Sequence, residues 1–248
     1  MTGASVLGVF AHPDDESLSA GGLLARASAA GARTAVVTAT WSRNSIRAPE
    51  LAEAVRILGA GEPRMLGYAD ALVPESAPGS PRLLDAPLDE VVGRLVAHIR
   101  AFRPDVVVTH DAYGGMTGHP DHLHTYRVTV LAAEAAGLEK LYPEAGAPWQ
   151  PRALYLATHP DSVVPALRAA IGARRAVYSV PDEQVTDRLD VTPWLEQKVA
   201  AVLAHRSEID RGAVPGLVAA LPPEARGAML ATEWYIRCSP GPATTAGA

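Results

Sequence analysis

Two apolar runs far apart in the chain, Val6-Leu7-Gly8-Val9-Phe10 and Val106-Val107-Val108, each lead into a cluster of His and Asp and then into a helix-like segment. The first cluster is Ala11-His12-Pro13-Asp14-Asp15-Glu16 and the second is His119-Pro120-Asp121-His122. Strand, polar cluster, helix, given twice, is the order expected when adjacent strands of one parallel sheet supply one site. Open α/β sheets keep their ligand crevice outside the carboxyl ends of the strands, which is where both clusters fall.

The rest of the chain fits that frame by alternating strand-like and helix-like segments. Strands are predicted at 34–40, 64–68, 105–109, 153–158 and 232–237, and helices at 18–30, 49–58, 88–102, from 122 to about 136, at 164–171 and at 192–206. Thr192 and Pro193 are read as N-cap and first residue of the last helix. The loops 73–87 and 142–151 are rich in Pro and Gly. The expected architecture is a three-layer, Rossmann-like α/β domain with a mostly parallel sheet and helices on both faces. It spans residues 1–238 as a single domain, and the Pro, Gly, Ala and Thr tail 239–248 is expected to be disordered. The pair Gly21-Gly22 does not meet the G-x-G-x-x-G spacing of a dinucleotide site.

Three carboxylates in a row beside a His repel one another and call for positive charge, which a divalent metal would supply. The competing account has Asp14 or Asp15 capping the following helix and Glu16 sitting in its first turn. The second cluster favours the metal. His12, Asp15 and one of the two downstream histidines make the two-nitrogen, one-carboxylate set of a catalytic zinc. A structural zinc would want more Cys than the one present, Cys238.

At these residues the chain resembles the PIG-L/LmbE family of zinc-dependent N-deacetylases, whose A/G-H-P-D-D-E and H-P-D-H motifs stand intact at Ala11–Glu16 and His119–His122. The resemblance extends to Arg47 with Glu50-Leu51 and Leu58-Gly59, to Gly67-Tyr68-Ala69-Asp70, and to Ala204-His205-Arg206-Ser207. It implies one Zn2+ per chain on His12, Asp15 and His122, Asp14 as general base, and His119 beside the reacting carbonyl. Amide hydrolysis needs an activated water, a base for its proton and a donor for the oxyanion, and an imidazolium at His119 could serve as that donor. Two departures stand out. Met116 and Thr117 precede Gly118 where some relatives carry a Tyr, and Glu208 follows the late motif where relatives often carry Gln.

Arg47 and Asp70 lie on the crevice side and are read as substrate contacts, since sugar hydroxyls need charged or bidentate partners. Trp41 and Met116 are read as cleft wall, and Glu16 as support for His12 or a neighbouring amide. His110, Asp111 and His124 are secondary candidates. The net charge of −5 argues against a nucleic-acid or anionic-membrane surface. No basic leader or long apolar stretch signals secretion or insertion, so the cytoplasm is the expected compartment. The expected partner is a small N-acylated amino-sugar substrate, and a homo-oligomer built through the apolar and Pro-rich loops is compatible with the sequence. Rival readings are an amidase for a larger thiol-conjugate amide, a metal-free glycosidase using Asp14 and Asp15 as a carboxylate pair, and a sugar-binding module without catalysis.

Overall fold

A computed structural model describes residues 3–172 and 177–240. Seven strands, β1 (Val6–Phe10), β2 (Thr34–Thr40), β3 (Arg64–Tyr68), β4 (Val106–His110), β5 (Ala153–Thr158), β6 (Asp187–Asp190) and β7 (Thr232–Cys238), form one sheet in the order β3-β2-β1-β4-β5-β7-β6. The pairings from β3 through β5 are parallel. At β7 the sheet turns antiparallel, and β6 closes the edge antiparallel to β7.

Period-two alternation sorts the strand side chains between two cores. Val6, Phe10, Val106, Val108 and Tyr155 face α1 (Asp15–Ala29), α2 (Arg47–Ile57) and, further on, α6 (Leu195–Ala204). Leu7, Val9, Val107 and Leu154 face α3 (Leu88–Phe102) and α4 (Pro120–Ala135). α1 follows β1 onto one face and α4 follows β4 onto the other, so the chain reverses its winding between these two neighbouring strands. That reversal opens a crevice at their carboxyl ends, and both polar clusters fall there.

Several expected boundaries shift. α1 begins at Asp15, which brings two of the three carboxylates into its first turn, and no side chain caps it. The expected helix 192–206 is a 3-10 turn at Thr192–Trp194, then α6, then α7 (Arg206–Asp210), because His205 leaves helical geometry at ψ 68°. α5 (Val164–Ile171) is where expected, while α8 (Val214–Ala220), α9 (Pro223–Leu230) and β6 are additional. Residues 241–248 of the expected tail lie outside the described residues. No helix among the described residues is long and apolar enough to cross a membrane.

Gly22 marks where α1 is packed most tightly. A Cβ there would lie 2.3 Å from Val191 Cγ1, and Val191 is fully buried. Gly22→Ala should therefore lower unfolding free energy by about 1–3 kcal/mol, the usual cost of overpacking. A urea midpoint equal to wild type would contradict this packing.

Candidate metal and catalytic centre

β1 delivers His12 to Asp15, β4 delivers His110, and the loop from β4 into α4 delivers His119 to His122. Their side chains meet in one buried cluster. His12 Nδ1 lies 3.1 Å from His122 Nε2 and 3.4 Å from Asp15 Oδ2, and His122 Nε2 lies 3.2 Å from Asp15 Oδ1. Asp15 thus turns one oxygen to each imidazole. Ligand atoms on a tetrahedral zinc with bonds near 2.0–2.1 Å sit roughly 3.3 Å apart, so these separations suit the ion.

The ring nitrogens that face away from this point decide how the cluster is used. A metal-binding imidazole normally gives its other N–H to a carboxylate or carbonyl. His122 Nδ1 meets the Gly114 carbonyl at 3.0 Å, which leaves Nε2 as its lone pair. His12 Nε2 meets Asp70 Oδ2 at 3.0 Å and Asp121 Oδ2 at 3.2 Å, which leaves Nδ1. Among the described residues, His12, Asp70, His119 and Asp121 form a group close enough for a metal, and so do two groups of three, His12 with His119 and His122, and Asp15 with His110 and His122. In the group of four, Asp121 Oδ2 also accepts the Ala71 amide and Asp70 Oδ1 accepts the amides of Leu72 and Val73. Those carboxylates are already committed to orienting His12 and to holding the loop after β3.

Burial lowers the His12 pKa, but hydrogen bonds to Asp121, Asp15 and Asp70 outweigh it and leave the group raised well above its ordinary value. Burial raises Asp15, and the charges of His122 and His110 reverse that, holding it well below the usual carboxylate range. The cluster therefore demands positive charge, which a metal meets when bound.

Asp14 stands beside the donor set with a different environment. Its backbone is at φ 137°, a conformation L residues rarely adopt, so the surrounding structure must hold it there. Its N–H donates to Glu16 Oε2 at 3.0 Å, and Arg47 bonds the Pro13 carbonyl and lies 3.2 Å from Asp14 Oδ2. Burial raises the Asp14 carboxyl to about 6 against the pull of Arg47. Glu16 is held in turn by His205 Nε2 at 2.9 Å and the Ser17 hydroxyl at 2.6 Å. Ser207 ties the same segment to Glu50 through its amide and hydroxyl at 2.8 and 2.6 Å. The late Ala-His-x-Ser segment thus braces the helix start that carries the acids.

His119 is the N-cap of α4, and its Nδ1 accepts the Asp121 amide at 3.2 Å. The proton of the neutral ring is therefore on Nε2. Burial, with the charges of His12 and His122, pushes His119 down to about 4. The expectation of an imidazolium at this position is corrected: the ring is neutral and is still a hydrogen-bond donor.

Other expected roles also change. Arg47 is fully buried, stacks on Trp41 with its guanidinium carbon 4.6 Å from the ring, and reaches Glu208 at 3.4 Å. Arg47 anchors Asp14 and Asp70 orients His12, and both also line the cavity, on the side expected of substrate contacts. Trp41 backs Arg47 and is not cleft wall, whereas Met116 does line the cavity. Asp111 accepts the amides of Tyr113 and Gly115, and so shapes the Gly114-Gly115 turn. His110, a secondary candidate from the sequence, belongs to the cluster: it stacks on His122 with ring centres 4.0 Å apart, and its Nε2 accepts the Ala11 amide. Asp121, close to both His12 and His119, is the carboxylate partner that a ligand imidazole requires.

A family model described as PIG-L, GlcNAc-PI de-N-acetylase, matches residues 7–133. A 1D-myo-inositol 2-acetamido-2-deoxy-alpha-D-glucopyranoside deacetylase from Rhodococcus opacus is 36% identical over 244 residues, covering 84% of this chain and 83% of that protein. Among solved structures, N,N'-diacetylchitobiose deacetylase from Pyrococcus horikoshii superposes with a TM-score of 0.61 at 22% identity, over 83% of this chain and 70% of that one. GalB from Pseudomonas putida KT2440, a 4-carboxy-2-hydroxymuconate hydratase, does so with a TM-score of 0.61 at 20% identity, over 99% and 100%. These two likenesses are of fold, and a hydratase among them shows that the fold alone does not fix the reaction.

The Asp14 environment predicts a pH-dependent cost. Its folded-state pKa near 6 lies above its ordinary 3.8, so stability falls as pH rises from about 4 to about 6 and the full penalty holds above that. In chelator-treated protein, Asp14→Asn should melt higher than wild type at pH 8 and nearly equal to it at pH 4. A lower melting temperature at pH 8 would show that the buried carboxylate is not under strain.

Proposed function

The chain belongs to the PIG-L family of GlcNAc-PI de-N-acetylases, and from that premise we propose that it hydrolyses the N-acetyl or a similar N-acyl group of an amino sugar or amino-sugar conjugate. One Zn2+ per chain would be held by His12 Nδ1, Asp15 and His122 Nε2. The observation that carries this is the partner of each ring's far nitrogen: Asp70 and Asp121 for His12, the Gly114 carbonyl for His122. When bound, the ion would lower the pKa of a water toward neutrality and polarise the amide carbonyl.

The chain's own residues then divide the proton work. Asp14, beside the ligands and titrating near 6, is ionised at neutral pH and takes the proton of the attacking water. Arg47 keeps that carboxylate ionised and in place. His119 keeps about a fifth of its side chain exposed and lines the cavity, so its Nε2–H can reach the oxygen that gains charge in the tetrahedral state. A neutral imidazole at a helix N-terminus can polarise a carbonyl in this way. The proton held by Asp14 then passes to the departing amine, giving free amine and carboxylate. The metal-free glycosidase reading gains nothing here, because Asp15 is enclosed by His12, His110 and His122 and cannot act with Asp14 as a free acid-base pair.

Elemental analysis with acetate or amine release, measured on N-acetylglucosamine and its conjugates, tests the assignment. His122→Ala should lose the zinc. Asp14→Asn should keep it and lose on the order of a hundredfold or more in kcat. Full activity in His122→Ala, or equal loss of metal and rate in Asp14→Asn, would overturn it.

His119→Ala should keep zinc and lose roughly a hundred- to a thousandfold in kcat, the scale of one oxyanion donor. Its pH profile should keep the wild-type alkaline limb, since the ring is neutral throughout that range. Disappearance of that limb would restore the imidazolium role.

A further inference from the structure

Among the described residues, four besides glycine have a positive φ: Asp14, Trp41, Arg103 and Tyr142. The first two touch the same side chain. Arg47 lies 3.2 Å from Asp14 Oδ2, and its guanidinium carbon lies 4.6 Å from the centre of the Trp41 ring. Trp41 directly follows β2, at φ 72°. A left-handed φ is uncommon for any residue with a Cβ and is an outlier for one as bulky as Trp, whereas glycine adopts it freely. The chain is pinned on both sides of this point, since the Trp41 amide donates to the Tyr68 carbonyl and the Ser42 amide to the Ser76 carbonyl, each at 2.9 Å. The indole carries a second penalty, because its Nε1 is buried and has no hydrogen-bond partner among the described residues.

Two unfavourable features on one residue persist only where a contact elsewhere compensates them. Packing against the core formed with α1 and α2 supplies part of that, but a smaller apolar side chain would pack there without an unpaired N–H. What only an aromatic ring supplies is the face against Arg47. That guanidinium needs a face because of how it is bonded. Its Nη2 donates to the Pro13 carbonyl and faces Asp14, its Nη1 faces Glu208 at 3.4 Å, and its Nε is buried with no partner among the described residues. The two terminal nitrogens are therefore held, while the plane of the group is left to turn about the line between them. The indole removes that freedom, and the attraction of a cation to an aromatic face is strongest where water is excluded, as it is around the fully buried Arg47. Trp41 is not among the described residues that line the cavity, so it reaches the reaction through Arg47.

We infer that Trp41 is a positioning residue for the reaction, its strained turn serving to set an indole face against the Arg47 guanidinium and so to fix the plane in which Arg47 holds Pro13 and the Asp14 carboxylate. The inference rests on the deacetylase reading above and adds to it a residue outside both polar clusters.

Zinc-loaded Trp41→Phe, Trp41→Leu and Trp41→Gly, assayed for acetate release from N-acetylglucosamine and N-acetylglucosaminyl-inositol, test this. Phe keeps an aromatic face, so kcat should stay within about threefold of wild type. Leu keeps apolar bulk and Gly suits the backbone, but neither has a face. In both, kcat should fall on the order of tenfold or more, the scale of a desolvated cation–aromatic contact, with KM and zinc content held. A crystal structure of Trp41→Gly should show the Arg47 guanidinium turned away from the Pro13 carbonyl, a readout independent of rate. The inference is overturned if Leu or Gly keeps the wild-type kcat, or if Arg47 keeps its bonds in the Gly variant. It is also overturned if Phe loses as much as Leu, which would make the bulk of the indole and not its face the requirement. A rise in KM with kcat held would make Trp41 a substrate contact, and loss of zinc along with rate would make it structural support for the whole site; either result contradicts the role assigned. Wild-type enzyme inert on both substrates would instead refute the deacetylase reading, and the role of Trp41 with it.

Discussion

The contact on which the site depends is the one His12 Nε2 makes with Asp121 and Asp70. It joins a residue after β1 to one in the first turn of α4 and one after β3. The His12 ring thereby turns Nδ1 toward Asp15 and His122, and three elements are locked around a single point. The contact requires β1 and β4 to be neighbours whose helices leave to opposite faces, because only then do their carboxyl ends open onto a common space. Sheet order, helix placement and ligand orientation are in this sense one constraint.

Asp14 shows what that arrangement costs. A carboxylate buried at a rarely occupied φ and raised to about 6 would, in a purely structural role, be replaced by something cheaper. Arg47, Glu16, His205 and, through Arg47, Glu208 are all committed to holding it. Adjacent carboxylates are driven in opposite directions, Asp15 down by histidines and Asp14 up by burial, and groups separated in this way can take different roles in proton transfer.

Much of the fold was legible in the sequence because period-two apolar runs and amphipathic stripes mark β1 to β5 and α1 to α4 directly. β6 was not, since Asp187–Asp190 is a short edge strand with charged residues at both ends. The break at His205 was hidden inside an apolar stripe that continues across it. Of the site, His12, Asp15, His119 and His122 were found from two local motifs. Arg47 and Asp70 were placed on the crevice side and both line the cavity, but their bonds to Asp14 and His12 were not legible, because nothing in a linear sequence names a long-range partner. Asp121 is legible as a carboxylate beside His119, but its bond to His12 joins elements that no single segment reveals.

The central claim is that His12 uses Nδ1 for the metal and Nε2 for Asp70 and Asp121. Anomalous diffraction at the zinc edge from zinc-loaded crystals tests it directly. The account predicts one peak per chain, bonded to His12 Nδ1, Asp15 and His122 Nε2, with Asp14 and His119 off the metal. A peak bonded to His12 Nε2 together with Asp70, Asp121 or His119 would contradict it.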